Sequence, residues 1–297
     1  MIGAPWYKGW SGRRTALSSR PPVSHRWRPA LTLNITLGLI DQVRALAQGA
    51  GREIMKIYAT DFSVETKKDS TPVTEADRIA EALIVRALED DITDKFPIVA
   101  EEAFAAGNVP DVSGTPFWLV DALDGTKEFV KRGGDFTVNI ALIENARPVL
   151  GVVHAPAVGA TYWGSRYGAF AETNGGAARP IECRPAPKDG LVAVVSRSHR
   201  TPETDAFLSR IAVKEETITG SSLKFCMVAA GRADIYPRFG RTMEWDTAAG
   251  HAVVRFAGGQ VTKLDGSDLT YGKPGFENPD FIVRAAAEAA AGGAAEA

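Results

Sequence analysis

Apolar residues recur at steps of three and four through Leu37, Ile40, Val43, Leu46, Ala50, Ile54 and Ile57. That spacing predicts an amphipathic helix across roughly residues 36–58. Thr74 then precedes Glu75-Ala76-Asp77 and a periodic run holding Ile79, Leu83, Ile84 and Leu88. This predicts a second helix from about residue 75, with Asp77 as the N3 acid of a capping box. Short apolar runs follow and predict strands at 97–100 and 117–121. Two hairpins are predicted next, 136–144 with 149–154 around Asn145–Pro148, and 160–163 with 168–172 around Arg166-Tyr167. The first half therefore reads as two helices laid on a mostly antiparallel sheet.

From Leu191 the pattern alternates. Strands are predicted at 191–195, 216–219, 233–239 and 260–263, and helices at 202–211, 221–230 and 246–257. Alternation of this kind indicates an α/β layer. The boundaries expected are a basic, disordered leader at 1–33, an α+β subdomain at 34–187, an α/β subdomain at 188–284 and an Ala-rich tail at 285–297.

Composition narrows the class. The 297 residues carry 34 Lys+Arg against 36 Asp+Glu, with 45% hydrophobic residues, as in an ordinary globular protein. Cys183 and Cys226 are the only cysteines, too few for a secreted disulfide framework, so a cytoplasmic setting is expected. No apolar run is long enough to span a bilayer.

The charge is unevenly spread. Six of the basic residues, Lys8, Arg13, Arg14, Arg20, Arg26 and Arg28, lie before residue 40, where no acid occurs. A targeting peptide shares that composition, but Pro21, Pro22 and Pro29 would interrupt its helix, which favours a leader without a targeting role. A weak peripheral contact of this basic patch with the inner membrane is the minority reading. The rest of the chain is acidic, which disfavours a nucleic-acid polymer as partner.

The acids gather where strands end and helices begin. Trp118-Leu119-Val120 leads into Asp121-Ala122-Leu123-Asp124-Gly125-Thr126. Two carboxylates and a main-chain carbonyl within one turn are the hard oxygen ligands that Mg2+ prefers. The Gly125 and Thr126 amides beside them suit a phosphate oxygen. Glu101-Glu102 follows the 97–100 strand, and Asp246 opens the last helix. Singly, each acid has a plain structural reading as a turn, a solvated loop or a helix cap. Together they suggest a metal site.

At these residues the sequence resembles the inositol monophosphatase superfamily. The resemblance rests on Trp118–Thr126, on Trp245-Asp246-Thr247-Ala248-Ala249-Gly250, and on Lys67–Asp77. Within it the chain is most like the bacterial 3'(2'),5'-bisphosphate nucleotidases. That likeness is carried by Gly125–Phe129, Phe136–Leu142, Ser196–His199, Gly220–Cys226 and Tyr236–Gly240. The one departure is Ala122, where the family carries Pro.

The resemblance implies a layered α/β fold, with α-β-α-β-α layers of the inositol monophosphatase and fructose-1,6-bisphosphatase type. It implies that Glu101, Asp121, the Leu123 carbonyl, Asp124 and Asp246 hold two or three Mg2+. Thr126 would bind the attacking water with Asp77 as its base partner, and Glu102 would support the ligands from behind. It further implies that Glu101, Leu123, Asp124, Gly125, Thr126 and Asp246 touch the scissile phosphate. Ser222, Lys224 and Arg238 would hold a second one. The substrate expected is adenosine 3',5'-bisphosphate, a small nucleotide bisphosphate of sulfur metabolism, with sensitivity to lithium. Inositol monophosphatase or histidinol-phosphatase activity on the same metal core is the near alternative, and a non-catalytic metal- or nucleotide-binding module the distant one. A homodimer is compatible with all of these.

Overall fold

The computed structural model describes residues 33–66 and 72–285. Apart from their boundary residues, the expected leader and tail lie outside the described residues, as does Lys67.

Helix α1 (Leu37–Tyr58) starts where the Thr36 hydroxyl accepts the Leu39 amide at 3.1 Å. It buries Leu39, Ile40, Val43, Ala47, Ala50 and Ile54 along one stripe. Helix α2 (Glu75–Ala87) buries Ala76, Ala80 and Ile84 beside it. Both cover one face of a seven-stranded sheet whose strands run in chain order. These are β1 (Ile98–Ala100), β2 (Phe117–Asp124), β3 (Thr137–Glu144), β4 (Arg147–Ala155), β5 (Ala160–Ser165), β6 (Gly168–Thr173) and β7 (Arg179–Pro180). Only β1 and β2 pair in parallel. The β3–β4 turn is tighter than the sequence suggests. Asn145 and Ala146, at φ 51° and 59°, make the whole reversal, so Arg147 and Pro148 already belong to the strand.

Strand β2 alternates between two cores. Phe117 and Leu119 face one, and Trp118 and Val120 face the other under α1 and α2. The first core is closed by α6 (Leu223–Ala229) and α7 (Glu244–Phe256). Beyond them lies a second sheet of β8 (Leu191–Ser196), β9 (Val213–Thr219), β10 (Ile235–Arg238), β11 (Gln260–Lys263) and β12 (Phe281–Arg284). Its order is β9-β8-β10-β12-β11, with β12 antiparallel to both neighbours. Helix α5 (Pro202–Leu208) covers the outer face, packing Leu208 near Ala193, Val195, Ile235 and Ile282. The layers are therefore α-β-α-β-α.

Two glycines let α7 sit directly on the first sheet. A Cβ at Gly151 would lie 2.5 Å from the Ala249 carbonyl, and one at Gly164 would lie 2.5 Å from the Ala252 carbonyl. On the same helix His251 is buried, its Nδ1 3.0 Å from the Tyr271 hydroxyl. Burial, and then the Arg255 and Arg147 charges, push its pKa down to about 3. An unfolded imidazole titrates near 6.5, so below that pH the unfolded chain gains a proton that the folded chain refuses. Between pH 7 and pH 5 the wild type is expected to lose about 2 kcal/mol of stability relative to His251→Gln. Urea unfolding of both proteins across that range checks it, and parallel pH profiles would contradict it.

Candidate active site

Asp121 and Asp124 are three residues apart, which in a regular strand would send them to opposite faces. The ladder with β3 shows why they share one. Asp121 pairs with Asn139 and Asp124 with Thr137, so three steps on β2 oppose two on β3. The extra residue is a β-bulge at Ala122–Leu123, and it returns Asp124 to the face of Asp121. The Asp121 carboxylate accepts the Leu123 amide at 3.0 Å, which holds the bulge from inside. Strand pairing thus fixes the turn that the family's Pro would stiffen, with Ala122 buried in that place.

Gly125 then takes φ 93° and ψ 37°, a left-handed conformation that favours glycine, and α4 (Thr126–Val130) begins. A Cβ at Gly125 would also lie 3.0 Å from the Asp135 carbonyl. The Thr126 hydroxyl is 3.1 Å from Asp77 Oδ1 and 3.3 Å from the Leu123 carbonyl.

Asp77 and Asp246 each combine two roles. Asp77 Oδ2 accepts both the amide and the hydroxyl of Thr74 at 2.7 Å, capping α2, while Oδ1 faces Thr126. Asp246 Oδ2 accepts the Met243 amide at 2.9 Å, capping α7 in the same way. The structural and chemical readings of these acids are therefore both satisfied. Glu101 and Glu102 open α3 (Glu101–Ala105), a helix too short for periodicity to reveal. Its first amides are taken by Glu81, whose oxygens accept from Glu102 and Ala103 at 2.7 and 2.8 Å. Glu81 was not anticipated, although it stands one helical turn beyond Asp77 on the same face of α2. Burial pushes its pKa up to about 7.

These elements enclose a cavity of about 180 Å³. Glu101, Asp121, Leu123, Asp124, Gly125, Thr126 and Asp246 all line it. So do Lys224 and Arg238, with Lys127 and His199, which brings together every expected site residue except Asp77, Glu102 and Ser222. Asp77 stands behind Thr126, and Glu102 stands beside Glu101 on α3. Ser222 differs from expectation. Its hydroxyl donates to the Asp246 carbonyl at 2.8 Å and accepts from Asn139 Nδ2 at 3.0 Å, so it ties β3 to α7 behind the wall. Ser221, at φ 44°, presents its side chain to the cavity instead. Thr137 and Asn139 alternate along β3 and each place a donor 3.4 Å from Asp124 Oδ2.

The charges separate by sign. Burial, then the Asp124 and Glu101 charges, push Asp246 up to about 8. Burial also raises Asp124, with Lys224 opposing, and raises Asp77. Lys224 is buried, donates to the Ser221 carbonyl at 2.5 Å and lies 5.4 Å from the Tyr236 ring. Burial pushes it down to about 8 despite Asp124. Arg238 is also buried; among the described residues it donates only to the His199 and Arg241 carbonyls, at 3.3 and 2.9 Å, and its Nε has no partner. His199 is pushed down to about 4 by burial and by the Arg238, Lys127 and Lys224 charges. Crowded carboxylates that resist ionising need cations, and crowded cations need anions.

The donor set fits a hard divalent ion, being all carboxylate and carbonyl oxygen. Among the described residues no three His, Cys, Asp or Glu side chains converge on one ion position. Mg2+ suits that arrangement, because it keeps several waters and takes one or two carboxylates together with substrate phosphate.

A model of the inositol monophosphatase family matches residues 39–296. The 3'(2'),5'-bisphosphate nucleotidase CysQ of Salmonella typhimurium is 44% identical over 248 residues, covering 82% of this chain and 99% of that protein. Among solved structures, CysQ from Bacteroides thetaiotaomicron superposes with a TM-score of 0.70 at 37% identity, covering 84% of this chain and 97% of that one. An IMPase of Thermotoga maritima gives 0.69 at 30% identity, covering 84% and 92%.

Proposed function

The chain belongs to the inositol monophosphatase family, and we propose that its cavity removes the 3'-phosphate of adenosine 3',5'-bisphosphate, giving adenosine 5'-monophosphate and phosphate. One observation carries this reading: a carboxylate cluster and a separate pair of buried cations, Lys224 and Arg238, line one small cavity. Neither cation is ion-paired to a carboxylate among the described residues. A substrate with two phosphates answers both needs. The CysQ relatives are named for activity on such a nucleotide.

Glu101, Asp121, Asp124, Asp246 and the Leu123 carbonyl would hold two or three Mg2+. When bound, Mg2+ supplies the charge that neutralises these acids and polarises the phosphate and the attacking water. The protein orients that water. Asp77 Oδ2 is occupied by Thr74, so Oδ1 is the oxygen left to receive the Thr126 hydroxyl proton. Thr126 Oγ1 then keeps its lone pairs for the water. Burial raises the basicity of Asp77, which suits it to take a proton through Thr126. The Gly125 and Thr126 amides lie where the chain turns into α4 and can bind phosphate oxygens. Lys224 and Arg238 hold the 5'-phosphate, with Ser221 taking the place expected of Ser222.

Inositol monophosphatase and histidinol-phosphatase activity would need the acids but not both cations. A binding module without turnover would not need Thr126 set against Asp77. Among the described residues no helix is long and apolar enough to cross a membrane. The free thiols of Cys183 and Cys226 are in keeping with a reducing, cytoplasmic setting.

Phosphate release by the purified protein tests the reading. With Mg2+, adenosine 3',5'-bisphosphate is expected to be hydrolysed with a kcat/KM at least about 10-fold above that for inositol 1-phosphate or histidinol phosphate, since one charge-assisted phosphate contact contributes that much. Chelation should abolish turnover. A preference for either monophosphate would overturn the proposal.

A further inference from the structure

Glu128 has no part in the chemistry above, yet it is a buried acid in the wall of the same cavity. It lies on α4, two residues beyond Thr126, and its charge is felt by both Asp124 and Lys224. It thus lies within electrostatic reach of both the acids and the buried cations of that cavity. One of its oxygens, Oε1, accepts the Ser198 hydroxyl, and the other accepts no hydrogen bond among the described residues.

The surroundings hold this side chain in place. A Cβ at Gly220 would meet Glu128 Cγ at 2.9 Å and the Asp135 carbonyl at 2.8 Å, so the backbone presses against it. Asp135 in turn accepts the Gly220 amide at 3.0 Å and Arg197 NH2 at 2.7 Å, which pins the 197–198 segment that carries Ser198. A carboxylate in the cavity wall, fixed at one oxygen and open at the other, can accept one more hydrogen bond.

We propose that Glu128 is a specificity-determining residue that accepts a hydrogen bond from the ribose 2'-hydroxyl of the substrate. The argument rests on the function proposed above. If the scissile phosphate sits at the acids and the second phosphate at Lys224 and Arg238, the sugar lies between them. Its 2'-hydroxyl is then the one free donor there. A carboxylate acceptor favours that hydroxyl over a bare C2'. A substrate without that hydroxyl forfeits a hydrogen bond to a charged acceptor, so the contact should discriminate between the two sugars.

The test compares adenosine 3',5'-bisphosphate with its 2'-deoxy analogue on the wild type, Glu128→Gln, Glu128→Ala and Ser198→Ala. The wild type is expected to favour the ribonucleotide by about 10-fold or more in kcat/KM. Glu128→Ala should bring that ratio close to one by losing ribonucleotide activity alone, and Glu128→Gln, which keeps an acceptor oxygen, should retain part of it. Ser198→Ala breaks the hydrogen bond from the far side and should keep the ratio of the wild type. Equal losses on both substrates in Glu128→Ala, or a wild type indifferent to the 2'-hydroxyl, would overturn the inference. A wild type inert towards both nucleotides would instead refute the function on which it rests.

Discussion

Asp124→Asn is expected to lower Mg2+ affinity by at least about 100-fold and kcat/KM by about 1,000-fold, while the protein stays folded. Asp124 lies where β2 ends, flanked by the donors Thr137 and Asn139 and facing Asp246. In the metal-free protein its charge is a burden, raised in pKa by burial and raising that of Asp246 in turn. An Asn of the same shape keeps an acceptor for Thr137 and Asn139 and removes that repulsion. The metal-free variant should therefore melt at or above the wild-type temperature. Added Mg2+ should raise the melting temperature of the wild type and leave that of the variant unmoved. Calorimetric titration with Mg2+ and thermal melts with and without the ion check both halves. A variant that keeps substantial activity, or that unfolds, would remove Asp124 from the proposed metal set.

Lys224→Met is expected to act on the other end of the substrate. Met preserves the packing of the aliphatic stem beside Tyr236 and removes only the ammonium. A charge-assisted phosphate contact contributes about 1.5–3 kcal/mol, so KM for adenosine 3',5'-bisphosphate should rise about 10- to 100-fold. With adenosine 3'-monophosphate, which lacks the 5'-phosphate, the variant and the wild type should agree within a few-fold. Steady-state kinetics on the two substrates separates these outcomes. Equal losses on both would place Lys224 at the scissile phosphate or in the fold alone.

Much of this architecture is legible in the sequence because local physics writes it there. The 3.6-residue stripe of α1 and the capping box of α2 are visible as spacing. The β3–β4 and β5–β6 hairpins are visible as apolar runs interrupted by turns. What stays hidden depends on distant partners. Strand β12 is a short apolar run near the chain end, and it enters its sheet between β10 and β11, which no local pattern announces. Helices α3 and α4 have five residues each and no period to show. The acids could be identified as a group, but the bulge that turns Asp121 and Asp124 to one face exists only in the pairing with β3. The exchange of Ser222 for Ser221 has the same kind of cause. A positive φ at Ser221 decides which hydroxyl faces the cavity, and no spacing rule encodes that.

Helix α7 carries Asp246 at its first turn and also closes the core between the two sheets. It follows residue 243, so the ribosome has already made the whole first sheet and most of the second when α7 emerges. Of the two helices that close the side of the first sheet bearing Phe117, Leu119 and Ala141, only α6 has been made by then, and the close approach at Gly151 and Gly164 waits for α7. The event that buries this face is the one that delivers the last carboxylate. A partly folded chain therefore lacks one of the acids proposed to hold Mg2+, and the proposed set is complete only once α7 has docked.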